Sequence, residues 1–237
     1  MGTVYRLALR QLTGKWRLII MTVLAALPVI IAGIMITSPN APTVQEFEVG
    51  VLGAMLSGSI APLVVLAIAA AAFANEVEDR TLANLVLSPL PRWQIAIPKL
   101  LATITVAAPF IAVSAFATTY IAFLGDMKAV VAVTVASIIG VALYSAAFIF
   151  LGLVTTYAIG IGLLYIVVWE GFFSGFVTGV RLLSIRHYTI ALMHGLDPRR
   201  LGYLEPPSLL TVSIISAIVF VGFAYASVRR LKTMDVP

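Results

Sequence analysis

The chain has 237 residues, of which 61% are hydrophobic and only 11% are charged, with a net charge of +5. This balance excludes a soluble globular domain and indicates a protein embedded in lipid, where the basic excess is a signal of topology and membrane-surface contact, not of nucleic-acid binding. The absence of cysteine excludes disulfides, thiol chemistry and thiolate metal sites.

Long uncharged runs separate short clusters of charge. The longest has 41 residues between Lys128 and Glu170 and would form a helix of about 60 Å, twice the thickness of the hydrocarbon core. It therefore predicts two crossings, separated at the polar stretch 152–157. Because the runs are apolar on every face, they predict an all-α polytopic protein and exclude a β-barrel. We predict one domain, residues 1–237, with six transmembrane helices at residues 18–37, 51–74, 102–124, 129–153, 156–173 and 208–228.

An amphipathic helix is predicted before the first crossing, at residues 4–17. Basic residues can then face lipid headgroups, as in a helix that lies in the membrane interface. The predicted apolar face consists of Val4, Leu7, Ala8 and Leu12. A simple basic anchor is the alternative interpretation. The loop that follows the first crossing, residues 38–50, is predicted to be a short outer loop without chemistry.

The distribution of Lys and Arg predicts the orientation. With six crossings both termini share one side, which carries ten of the 15 basic residues, while the other side carries five. The positive-inside rule then places both termini in the cytoplasm.

The segment between the second and third crossings, residues 75–92, is the most distinctive part of the sequence, and we call it the acid-rich connection. Three carboxylates lie at the membrane exit, on Glu76, Glu78 and Asp79. Leucines at helical spacing follow, and prolines end the pattern before an Arg92-Trp93 interface anchor. The pattern predicts a short amphipathic helix along the cytoplasmic face.

The outer segment 174–207 is too long for a turn and too short for a domain. Its apolar first part carries Arg181, Arg186 and His187. It favours a helical segment that dips back toward the outer leaflet, with the arginine heads reaching the headgroups. A surface helix that caps the bundle is the alternative.

Groups able to perform catalysis are scarce within the predicted spans. Glu170 is the carboxylate nearest to a helix interior, and a buried acid would be a functional candidate, but the adjacent Trp169 favours the headgroup level. His187 and His194 lack the spacing and company of metal ligands. No phosphate-binding loop occurs in the chain. We therefore predict no catalytic, cofactor or metal site, and any ATP hydrolysis must come from another polypeptide.

The acid-rich connection resembles the corresponding stretch in the permease subunits of type-2 ABC exporters. That family commonly has Glu-x-Glu-x-Gly/Arg-Thr, then Leu-Leu, Ser-x-Pro-x-x-Arg and Gly-Lys-x-Leu. The residues that match in order are Phe73, Ala74, Glu76, Glu78, Asp79, Arg80, Thr81, Leu82, Leu85, Ser88, Arg92, Lys99, Leu100 and Leu101. Pro98 departs from the common Gly, and the proline placement after Ser88 differs slightly.

The resemblance implies a permease of the prokaryotic cytoplasmic membrane that is not itself an enzyme. A separate ATPase subunit would bind ATP and Mg and would receive the connection as a coupling helix. Two permease copies, by default a homodimer, would pair so that substrate passes along their interface. The residues assigned to ATPase docking are Glu76, Glu78, Asp79, Arg80, Thr81, Leu82, Leu85 and Arg92.

A possible substrate path consists of small and aromatic residues of the second and fifth crossings, Ser57, Ser59, Tyr165 and Trp169. Such residues more often serve packing. The uncharged interior favours an apolar or amphipathic cargo, a weak preference because a helix interface can also open to water.

Two other function classes remain open. An ion-coupled carrier or a channel predicts acids or histidines inside the spans, or broken helices. Pro62 and Pro109 interrupt predicted spans and give weak support to that class. A membrane anchor for an enzyme complex is the third class.

Overall fold

The computed structural model describes residues 2–39, 43–78, 91–173, 184–199, 201 and 208–233, without the side chains of residues 70, 71, 74–78 and 173. All regular structure in these ranges is helical, which confirms the all-α prediction. In chain order the elements are α1 (Gly2–Leu12), α2 (Lys15–Thr37), α3 (Val44–Phe47), the π-helix π1 (Glu48–Ile60), α4 (Ala61–Glu78), α5 (Trp93–Ala122), α6 (Met127–Val154), α7 (Ala158–Leu164), the π-helix π2 (Tyr165–Phe173), α8 (Ile185–Leu196) and α9 (Leu209–Thr233).

Helices of membrane-spanning length and composition occupy most of the described chain. Five are long and apolar enough to cross a bilayer, at Lys15–Thr37, Val44–Ala69, Trp93–Ala122, Met127–Val154 and Leu209–Thr233. The predicted fifth crossing corresponds to a shorter apolar helix, Ala158–Phe172, formed by α7 and π2. The predicted break before it is confirmed, since α6 ends at Val154 and α7 begins at Ala158. The chain is therefore a multi-pass membrane protein.

The N-terminal helix α1 is present but differs from its predicted bounds and face. It ends at Leu12, because the chain becomes extended at Gly14 before α2 begins. Ala8 and Leu12 are buried against the bundle, and the Tyr5 hydroxyl donates a 3.0 Å hydrogen bond to Thr105 Oγ1 on α5. Leu7, predicted to share the buried face, is 62% exposed. Packing on α5, and not a uniform apolar stripe, therefore sets the orientation of α1.

The second crossing begins earlier than predicted, so the loop before it is shorter than predicted. Thr43 and Glu46 form a capping box in which the Thr43 hydroxyl accepts the Glu46 N–H and the Glu46 carboxylate accepts the Thr43 N–H. This arrangement satisfies two donors at the start of a helix. From Val44 the chain remains helical through π1 to the end of α4. Glu48, predicted to lie in the loop, is therefore the first residue of π1.

The third crossing also begins earlier than predicted, at Trp93 instead of residue 102. α5 contains Pro98 and Pro109 within its 30 residues. The prediction placed the boundary after the charge on Lys99, but that side chain is buried within the bundle.

Helix α6 forms the centre of the described bundle and packs against α4, α5, α8 and α9. Its Tyr144 and Phe148 rings stack at 5.8 Å between centroids. Gly140 permits a close approach of α8, because a Cβ at this position would lie 2.6 Å from Thr189 Oγ1. The described helical part of the outer segment, α8, is thus packed on α6 and also touches π1 and α9.

Candidate functional site

The acid-rich connection joins α4 to α5. α4 ends at Glu78 and α5 begins at Trp93. Arg92, the predicted docking residue next to α5, is half-buried. Its carbonyl accepts the amide hydrogens of Ile95 and Ala96, at 3.1 Å each, so Arg92 opens the helix.

Most of the predicted docking residues lie outside the described residues. Glu76 and Glu78 belong to the last turn of α4, but their side chains are not described. The others outside the described ranges are Asp79, Arg80, Thr81, Leu82 and Leu85. The coupling helix and its docking residues therefore stay predictions.

Lys99 fastens together the two helices that carry the connection. Its side chain is 3% exposed, and its Nζ donates a 2.6 Å hydrogen bond to the carbonyl oxygen of Ala72, in the last two turns of α4. The same Nζ lies 4.1 Å from the centroid of the Phe73 ring. Both contacts favour a cation, the first because a carbonyl oxygen carries partial negative charge and the second through the ring quadrupole. Lys99 thus fixes α5 against α4 at the base of the connection.

Replacing Lys99 by methionine is expected to destabilise the bundle. The substitution keeps the apolar stem but removes the donor to the Ala72 carbonyl, and hydrogen bonds from charged groups contribute about 2 kcal/mol. We expect a midpoint of thermal unfolding in detergent about 5 °C below that of the wild type. Lys99→Arg, which retains a cationic donor, should lose less. Equal midpoints for Lys99→Met and wild type would show that the contact contributes no stability.

A second concentration of polar groups lies at the opposite end of the bundle, which we call the far end. Glu48 begins π1, and the helix from there to Glu78 is continuous and about 40 Å long. Glu48 Oε1 contacts Nε2 of His194 on α8, and both side chains are buried. The sequence analysis missed this pair, since it placed Glu48 in a loop. The signal available was the Thr43-x-x-Glu46 capping pattern, which places the helix start before Glu48.

Glu170 on π2 is the second buried carboxylate of the far end. Its Oε1 accepts the Tyr165 hydroxyl at 2.7 Å and the main-chain N–H groups of Ile185 at 3.0 Å and Arg186 at 3.4 Å. Its Oε2 accepts the Ser184 hydroxyl. Glu170 therefore caps the N-terminus of α8 from a neighbouring helix. Glu170 is fully buried in the protein, whereas the headgroup-level interpretation gave it no protein partner, and its depth in the membrane stays a prediction.

Arg186 connects α8 to both π-helices. Its Nη1 donates a 3.1 Å hydrogen bond to the main-chain oxygen of Glu170. Its side chain also lies along π1, where a Cβ on Gly58 would be only 2.9 Å from Arg186 Cδ. Burial lowers the pKa of the Arg186 guanidinium, and the Glu170 carboxylate opposes that change. We refer to Glu48, Glu170, Arg186 and His194 as the far-end cluster.

The four predicted path residues lie on the two π-helices, which contact each other. Ser57 and Ser59 are on π1, and each hydroxyl donates to the carbonyl five residues earlier, at 2.8 and 3.0 Å. The Ser57 carbonyl accepts the Tyr144 hydroxyl at 3.2 Å. Tyr165 and Trp169 are on π2, where the Tyr165 hydroxyl donates to Glu170. Their use as a substrate path stays a prediction.

Tyr165 also lines an apolar cavity of about 380 Å³ between α6, α7, π2, α8 and α9. Its ring meets the Phe148 ring edge-on, with 6.2 Å between centroids. A second apolar groove, of about 490 Å³, lies between α2 and α5. Both volumes are within the range of small-molecule sites.

Comparison with protein families gives one assignment that agrees with these features. A family model described as ABC-2 family transporter protein matches residues 9–187. The match includes α2, both π-helices, the acid-rich connection and the start of α8. Comparison with curated proteins finds no match. The chain belongs to the ABC-2 family of transporter proteins and is a membrane component of that type of transporter.

Proposed function

We propose that this chain is the permease subunit of an ATP-driven exporter and that its acid-rich connection docks a separate ATPase subunit. Membership of the ABC-2 family implies partnership with an ATP-binding subunit. The observation that carries the proposal is the connection itself, residues 75–92, a charged segment between two crossings that lies inside the matched range.

The chemistry of the connection suits a docking role. Glu76, Glu78 and Asp79 place three carboxylates within four residues, which can pair with basic residues on a partner and steer its approach. The Lys99 contact with Ala72 holds the two supporting helices together. A displacement imposed on the connection therefore reaches α4 and α5 jointly.

On this proposal the chain binds no nucleotide. ATP and Mg belong to the ATPase subunit, and two permease copies pair as a homodimer to enclose the substrate path. The protein resides in the cytoplasmic membrane of a prokaryote with both termini in the cytoplasm, as the distribution of basic residues predicts. The cargo is apolar or amphipathic, in keeping with the apolar cavity beside Tyr165.

An ion-coupled carrier is the second candidate, and one structural observation favours it. Glu48, Glu170 and His194 are buried within the bundle, and intramembrane ionisable groups often serve proton or ion movement. Each of them has a polar partner in the described part of the chain. Family membership favours the ATP-driven function over this one.

A reconstitution experiment separates the two candidates. The genes next to that of the permease are searched for one that encodes a phosphate-binding-loop protein, and this candidate ATPase is co-expressed with the permease and purified through a tag on the permease. We expect the ATPase to co-purify and to hydrolyse ATP faster in the complex than alone. In permease vesicles without ATP, an imposed pH gradient should decay no faster than in empty vesicles. If the ATPase does not co-purify and the pH gradient decays fast, the exporter proposal is contradicted and the ion-coupled carrier is supported.

A further inference from the structure

Helix α8 is held at both ends by buried carboxylates from two different crossings. At its N-terminal end Glu170, from π2, accepts the main-chain N–H groups of Ile185 and Arg186. Near its C-terminal end His194 contacts Glu48, from π1. Glu48 and His194 are 146 residues apart in sequence, so this contact links distant parts of the chain. α8 therefore bridges the second and fifth crossings through buried polar side chains.

The two segments that α8 bridges also carry the four predicted path residues. Ser57 and Ser59 lie in π1, and Tyr165 and Trp169 lie in π2. Both segments are π-helical in the stretch next to α8, and π-helices are rare and frequently mark functional positions. The bridge thus joins, at the far end, the two segments that carry the predicted path residues.

We propose that the far-end cluster is a lock that closes the transport path at the end opposite the acid-rich connection. Glu48, Glu170 and His194 are positioning residues in this lock, because they hold π1 and π2 together through α8 and need not touch the cargo. This inference rests on the proposed function for its link to ATP, but closure of the far end is a property of the permease itself.

Two other charged groups of the described residues lie near α8. Arg186 donates to the main-chain oxygen of Glu170 and so belongs to the same end of the lock. Asp197, just after α8, is itself buried, and its Oδ1 lies 3.8 Å from Nζ of Lys128, whose side chain is 57% exposed. This pair joins the end of α8 to the start of α6 and does not connect π1 with π2. The contacts of Glu48, Glu170 and His194 therefore join π1 and π2 through α8.

The lock predicts that breaking it admits water-soluble reagents to π1. A reporter cysteine is introduced as Ser57→Cys, since the natural chain has no cysteine, and its modification by a membrane-impermeant maleimide is timed in nanodiscs. Glu48→Gln should raise the rate about tenfold, and His194→Gln provides a second variant should the first not fold. Glu46→Gln, an exposed change that keeps the capping box, should leave the rate unchanged. A reporter at the buried Ser145 of α6 should also stay unchanged, which excludes general loosening.

The lock would be contradicted if the Ser57→Cys reporter were modified at the same rate in Glu48→Gln and Glu46→Gln. It would also be contradicted if Glu48→Gln raised the rate equally for a reporter cysteine at Ser145. A second experiment tests the link to ATP. It uses the Ser57→Cys reporter with Glu48, Glu170 and His194 unchanged and with the ATPase bound. Trapping this complex with ATP and vanadate should raise the rate at which the reporter cysteine is modified. If Glu48→Gln raises the modification rate of the Ser57→Cys reporter but trapping does not, the lock is supported and the ATP-driven function is contradicted. If trapping raises that rate but Glu48→Gln does not, the ATP-driven function is supported and the lock is contradicted.

Discussion

Replacing Glu78 by lysine is expected to separate the permease from its ATPase subunit. On the proposed function the carboxylates of the acid-rich connection face basic residues of the ATPase. Reversing one charge places like charges together across the interface, which costs several kcal/mol. We expect the amount of ATPase that co-purifies with the permease to fall more than about tenfold, since each 1.4 kcal/mol is a factor of ten in affinity. Quantitative electrophoresis of the purified complex measures the loss.

The matched control for this prediction is Glu46→Lys. Glu46 lies at the far end of the same continuous helix and is exposed. It therefore receives the same change of charge without touching the connection, although the change also removes the capping-box hydrogen bond from the Thr43 N–H. Full retention of the ATPase by Glu78→Lys, with unchanged ATP hydrolysis, would remove the docking role. Loss of the ATPase from both variants would point to damage of the fold instead.

Hydropathy alone located the crossings because hydrocarbon tolerates few charges. The break after Val154 was predictable for the same reason, since 41 uncharged residues exceed one span. The starts of helices were less predictable. The second and third crossings begin at Val44 and Trp93, beyond the predicted boundaries, because α-helices continue past the apolar core wherever capping groups or buried cations support them.

The far-end cluster was not predictable from local sequence. Glu48 and His194 are 146 residues apart in sequence and meet only through tertiary packing. The periodicity of the sequence gives no signal for such a contact. The burial of Glu170 was not predictable either, because the adjacent Trp indicated only a position near the headgroup level. Its burial depends on Ser184 and the N-terminus of α8, which supply donors from 14 or more residues away. The π-helical form of π1 and π2 also has no signature in residue type.

One continuous helix connects the two candidate sites. It begins at Val44, carries Glu48 at the far end and ends at Glu78. Near that second end, its Ala72 carbonyl accepts the hydrogen bond from Lys99. On the proposed function, a force applied to the connection acts on the same helix that carries one half of the lock. π1 forms the far-end part of this helix, and π-helical turns are rare and frequently occur at functional sites.

Replacing Glu170 by alanine is expected to cause a large loss of stability. The change leaves the hydroxyls of Tyr165 and Ser184 and the N–H of Ile185 without their acceptor. It also leaves the Arg186 guanidinium without the adjacent carboxylate. Removing one member of a buried charged network costs about 3–5 kcal/mol. We expect a thermal unfolding midpoint about 10 °C below that of the wild type in the same detergent.

The contrast between two glutamate-to-glutamine variants shows whether this loss comes from burial and charge. Glu170→Gln keeps one acceptor oxygen but loses the charge, so its midpoint should fall between those of Glu170→Ala and the wild type. Glu46→Gln removes a charge from an exposed position and should leave the midpoint unchanged. A Glu170→Ala midpoint within about 2 °C of the wild type would mean less than about 1 kcal/mol from the network. The carboxylate would then hold neither α8 nor the far end of the bundle together.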